Sequence, residues 1–75
     1  MRVRIQAGDQ PMTVTFEIQG DERQLAAGDY MIVEYDGANG LTDDVHVEHS
    51  QEGIIVYMPS SRWRVWSSTG IEITP

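Results

Sequence analysis

A chain of 75 residues has room for one domain, residues 1–75, and one modest core, because folding at this size hides only about 60% of the surface the unfolded chain exposes. The absence of cysteine excludes a disulfide framework and a thiolate metal site. Twelve Asp and Glu stand against five basic residues, a formal charge of −7, which argues against binding to double-stranded nucleic acid, since phosphate recognition is driven by basic side chains.

From the N-terminus, Arg2 to Gln6 alternates, with Val3 and Ile5 pointing one way and Arg2, Arg4 and Gln6 the other, the pattern of a half-buried strand. After a turn through Gly8-Asp9, Met12, Val14, Phe16 and Ile18 form one stripe opposite Thr13, Thr15 and Glu17. This is the most regular strand in the chain and is expected at the centre of the core. Asp21 to Ala27 has the only helix-forming composition, bounded by Gly20 and Gly28. A helix of about two turns is marginal alone, so a loop or single helical turn is expected, with Leu25 tucked under the core. Tyr30 to Tyr35 is apolar on both faces for most of its length, which suggests a strand covered on both sides or bent across two sheets. A long loop follows from Asp36. Asp44 to His49 alternates again and predicts a strand with Val45 and Val47 inward. Ile54 to Met58, stopped by Pro59, Arg62 to Trp66, and Gly70 to Thr74 with Ile71 and Ile73 inward complete the set.

Short alternating runs punctuated by Gly and Gly-Asp predict an all-β domain of six or seven strands. The architecture expected is a small antiparallel barrel, SH3-like or similar, or a compact sandwich. The stretch Leu25-Ala26-Ala27-Gly28-Asp29-Tyr30-Met31-Ile32-Val33 resembles the turn-then-strand entry of SH3-like and related small β-barrels; over nine residues that resemblance implies fold only. Ala7-Gly8-Asp9 and Ala27-Gly28-Asp29 use the same turn chemistry twice, each before a strand. The first residues carry charge without an apolar run of about seven behind them, and nothing approaches a membrane span. A cytoplasmic location without membrane association is the expectation.

The charge is unevenly placed. No Lys or Arg lies between Arg23 and Arg62, where Asp29, Glu34, Asp36, Asp43, Asp44, Glu48 and Glu52 fall, while Arg2, Arg4, Arg62 and Arg64 sit near the ends. The chain is therefore acidic in its middle and basic where the first and penultimate strands would meet.

Motifs for chemistry are mostly missing: there is no Gly-rich phosphate loop opening a helix, no His-Glu-x-x-His pair and no Gly-x-Ser-x-Gly elbow. Placing Gly40 at the sixth position of an EF-hand loop puts Tyr35 at the first, so a calcium loop does not fit. On a strand, Asp44, His46 and Glu48 share a face in steps of about 7 Å, a spacing able to set N and O ligands around a divalent cation. The same pattern is what the solvent face of a strand looks like, and no metal or other cofactor is assigned. Arg62-Trp63-Arg64-Val65-Trp66 sends Trp63 and Val65 inward and leaves Arg62, Arg64 and Trp66 on the other face. Arg and Trp combine large apolar area with directional donors and serve often as interface anchors; the alternative is Trp66 under a neighbouring loop with the arginines answering nearby carboxylates.

These features point to a non-enzymatic binding or assembly module with a protein partner, as a homo-oligomer or a subunit of a larger complex, with Arg62, Arg64 and Trp66 as its binding residues. Two alternatives belong to other classes: an acidic inhibitor that imitates nucleic acid against a basic partner, and a small-ligand or metal-binding barrel centred on His46.

Overall fold

Val14 and Phe16, both fully buried, lie on the strand around which one sheet is built. The computed structural model describes residues 2–17, 19–35, 46–58 and 62–75. Seven strands follow in order: β1 (Arg2–Gln6), β2 (Met12–Glu17), β3 (Asp21–Leu25), β4 (Tyr30–Tyr35), β5 (His46–His49), β6 (Gly53–Tyr57) and β7 (Trp63–Ser67). They form a three-stranded sheet in the order β1-β4-β7 and a four-stranded sheet in the order β3-β2-β6-β5. The sheets do not close on one another, so the domain is a sandwich-like all-β fold and not a barrel.

Alternation along each strand directs one set of side chains into the space between the sheets. From the first sheet come Ile5, Met31, Val33 and Val65; from the second come Val14, Phe16, Leu25 and Val56. Val3, Met12, Ile54, Met58, Trp63 and Ile73 pack around them as partly buried neighbours. The Phe16 ring stacks on Trp63 across the layers, with centroids 5.1 Å apart, a geometry worth about 0.5–1.5 kcal/mol beyond area burial.

The second sheet is mixed, which corrects the expectation of purely antiparallel pairing. β2 and β6 run parallel, from Thr13 opposite Gly53 to Glu17 opposite Tyr57. A parallel pair needs a long crossover, and here the chain supplies one by passing through β3, β4 and β5 between the two. Asp21–Leu25 is a strand and not a helical turn. It pairs along its whole length with β2, from Phe16 opposite Asp21 to Met12 opposite Leu25, and cross-strand pairing at a sheet edge outweighs the weak helix propensity of so short a segment. Leu25 is buried as expected.

At the other end of the chain, Gly70–Thr74 is not a regular strand. A turn closed by Gly70 N–H to the Ser67 carbonyl and Ser67 N–H to the Ile71 carbonyl leaves Ile71 64% exposed. Ile73, whose N–H bonds the Val65 carbonyl, does reach the core. Val47 is likewise 42% exposed and not inward-packed. It pairs with Val56, but β5 is the edge strand of its sheet. Ile18, Val45, Asp43, Asp44 and the loop from Asp36 lie outside the described residues.

β4 is the middle strand of its sheet. It buries Met31, Val33 and Tyr35 and leaves Tyr30, Ile32 and Glu34 half-buried on the outer side, so its apolar character reflects one core face and one face partly covered by neighbouring side chains. The two Gly-Asp turns prove to be neighbours. Ala7 N–H bonds the Asp29 carbonyl and Gly28 N–H bonds the Gly8 carbonyl, which extends the β1–β4 ladder beyond the strands.

Candidate functional site

The outer face of the three-stranded sheet gathers the basic residues of both chain ends. Register sets them in rows: Arg2 opposite Glu34 and Glu34 opposite Arg64, then Arg4 opposite Ile32 and Ile32 opposite Trp66. The first and last strands of the sheet do not meet; β4 separates them, and its outward residues are those the arginines surround. Three of the arginines belong to this face by alternation, Arg2, Arg4 and Arg64, all exposed, and Arg62, also exposed, immediately precedes β7. The fifth, Arg23 on β3, donates through Nε to the Ile73 carbonyl at 2.8 Å and serves the fold.

Glu34 organises the centre. Trp66 Nε1–H donates to its Oε1 at 3.2 Å, and Arg2 Nε lies 3.6 Å from its Oε2. One carboxylate thus fixes the indole plane and holds a guanidinium beside it, a positioning effect more than a stability term, since ion pairs this exposed contribute little. Arg4 lies over the Tyr30 ring with its guanidinium carbon 3.8 Å from the centroid, a cation–π contact. Tyr30 is fixed in turn by its backbone N–H, which donates to Asp29 Oδ1 at 2.8 Å, while Ser68 Oγ donates to the same oxygen at 2.7 Å. These two hydrogen bonds, Ser68 first, hold the Asp29 carboxyl below its ordinary range.

Between the rows lies an open depression of about 370 Å³ lined by Tyr30, Ile32, Glu34, Trp66 and Ser68, with Arg2 at its rim. The Arg64 side chain makes no hydrogen bond or ion pair with another described residue. Of the binding residues expected from sequence, register sets Arg64 and Trp66 on this side of the sheet; Arg62 is exposed and precedes β7, outside the paired strand. Sequence reasoning missed that Arg2, Arg4, Tyr30, Ile32 and Glu34 complete the same surface. The outward parity of Arg2 and Arg4 was readable, but which strand lies between β1 and β7 was not.

The outer face of the four-stranded sheet has the opposite sign. Glu17, Glu22 and Glu48 alternate outward, with Thr13, Thr15, Ile55 and Tyr57 between them. His46 stacks on Tyr57 with centroids 4.7 Å apart, and its Nε2 lies 3.1 Å from Glu48 Oε1. Desolvation by neighbouring atoms, and then the Glu48 and Glu17 carboxylates, push the Tyr57 phenol above its ordinary value. Of the metal-like trio, His46 and Glu48 do lie together and Asp44 is outside the described residues. Among the described residues, no three His, Cys, Asp or Glu side chains converge as a metal site, and no polar or charged residue is buried. No described helix is long and apolar enough to cross a membrane. Compared with protein-family models, with curated proteins and with solved structures, the chain matches none.

Proposed function

We propose that the chain is a non-catalytic protein-binding or assembly module that presents the outer face of β1-β4-β7 to a partner. The observation that carries this reading is the Tyr30–Ile32–Trp66 depression, with its indole held by Glu34 and arginines on either side, on a chain that is otherwise strongly acidic. An aromatic and aliphatic centre with a charged rim is how protein interfaces are commonly built, and Trp and Arg dominate their energetics. A surface of this kind binds by desolvating the indole, with the arginines choosing an acidic partner surface and orienting it.

The test is capture of the native association from the source cell, followed by its affinity with Trp66→Ala. That substitution weakens it by more than about 1 kcal/mol and leaves the domain folded, because the Trp66 side chain lies on the outer face and not in the core. A joint Asp43→Asn and Asp44→Asn change does little. The reverse pattern, with Trp66 silent and binding lost through the carboxylates in a steeply salt-dependent way, refutes the reading and favours an acidic imitator of nucleic acid.

A further inference from the structure

The two outer faces of the sandwich are complementary, and the complement is carried by one chain. On one face Arg2, Arg4 and Arg64 frame Tyr30, Ile32 and Trp66. On the other, Glu17, Glu22 and Glu48 frame Ile55, Tyr57 and His46. Each has an aromatic and aliphatic centre of similar make-up, and the rims differ in sign. The centre of the acidic face is stiffened by the His46–Tyr57 stack, as that of the basic face is by the Glu34–Trp66 hydrogen bond. Being on opposite layers of the sandwich, the two faces do not occupy one another within a molecule.

From this we infer that the partner of the basic face is a second copy of this chain, docked through its acidic face, so that copies stack head to tail. The inference rests on the binding reading above and adds the identity of the partner. Pairing the basic face with itself sets one net positive surface against another, and pairing the acidic face with itself sets one net negative surface against another; basic against acidic removes both repulsions. Charged rims then set the orientation while the aromatic centres hold. Such a contact is heterologous: each copy uses a different surface from its neighbour, and repetition produces a ring if the rotation closes and a filament if it does not. For a chain this small, burying two faces also relieves the shortage of core.

The test uses two variants, each lacking one face. Arg64→Gln with Trp66→Ala removes the basic face; Glu22→Gln with Glu48→Gln removes the acidic one. All are outward side chains, and circular dichroism with thermal melting checks that each variant folds. Light-scattering mass after size exclusion is then measured for the wild type over a range of concentration, for each variant alone, and for their equimolar mixture. The wild type is expected to grow beyond a dimer as concentration rises. Each variant alone self-associates at least about tenfold more weakly, the weight of one interface anchor, and the mixture stops at a one-to-one heterodimer, because each partner retains only the face the other needs. A wild type that stays monomeric throughout overturns the inference without need of any variant. So does a mixture that stays monomeric, or a variant without its acidic face that still dimerises alone, since the contact is then a face against itself. Failure of the binding reading looks different. If the wild type is monomeric yet captures another protein through Trp66, the reading stands and only the partner is wrong; if removing Trp66 and Arg64 changes neither self-association nor capture, both fall.

Discussion

Gly53 opens β6 at the point where it meets β2 in the parallel pair, and its lack of a side chain is a condition for that pairing. A Cβ built there overlaps the Thr13 carbonyl oxygen and comes within 2.8 Å of Thr13 C and N. The obstacle is strand backbone, so no rotamer change relieves it. Accommodating Gly53→Ala requires β2 and β6 to separate at their first rung, which removes the hydrogen bond from Thr13 N–H to the Glu52 carbonyl, 3.0 Å. It also disturbs the turn in which Ser50 N–H donates to the Gly53 carbonyl at 2.8 Å and Gly53 N–H donates to Ser50 Oγ at 3.2 Å. Two or three hydrogen bonds at about 1 kcal/mol each amount to roughly 2–3 kcal/mol. Against this, Gly→Ala stabilises by about 0.4–1 kcal/mol through the unfolded chain. The net expectation is a loss of about 1–2.5 kcal/mol, a fall of roughly 4–20 °C in Tm for a domain of this size. Thermal and urea unfolding followed by tryptophan fluorescence measure it, with Gly8→Ala as control, where an added Cβ meets nothing within 4 Å and stability is unchanged or rises by up to about 1 kcal/mol. If Gly53→Ala unfolds with the wild-type midpoint, the parallel β2–β6 register is wrong.

Phe16→Ala removes a fully buried ring and its stack on Trp63, and costs about 3–5 kcal/mol, enough to unfold a marginal domain; a folded variant seen by circular dichroism at room temperature contradicts the assigned core. Asp29 contributes to acid sensitivity. Its folded carboxyl titrates below its ordinary value because of Ser68 and Tyr30, so its contribution is present above the unfolded carboxylate range near ~4 and is lost as pH falls through the folded value. Asp29→Asn therefore flattens the acid limb of stability against pH, and urea midpoints that keep the wild-type slope below about pH 4 argue against these hydrogen bonds. Adding zinc is expected to leave Tm unchanged, in the wild type and in His46→Ala alike. A rise in Tm that His46→Ala abolishes identifies a metal site.

Strand identity was largely legible because alternation is local: Val14 and Phe16 against Thr13 and Thr15, or Val65 against Arg64 and Trp66, are decided by the geometry of one strand. The segments that misled were those whose fate depended on a neighbour. Asp21–Leu25 has no intrinsic preference strong enough to resist β2, which offers it a full antiparallel ladder. Val47 and Ile71 have inward parity or apolar character, yet one lies on the edge strand of the larger sheet and the other in a turn. For the candidate site, residue type and facing were readable at Arg64 and Trp66.

What the chain's own residues determine, then, is the all-β class, most of the strands and which way their side chains alternate, since these follow from backbone geometry and the local order of apolar and polar groups. Only the tertiary structure decides strand order, the parallel β2–β6 pair, and the open sandwich in place of a barrel. It alone brings Arg2 and Arg4 to the same surface as Arg64 and Trp66, with β4 between them and Glu34 fastening the indole. The physical reason is that contacts between residues far apart in sequence depend on how strands compete for one another as the core closes, and no local pattern records the outcome of that competition.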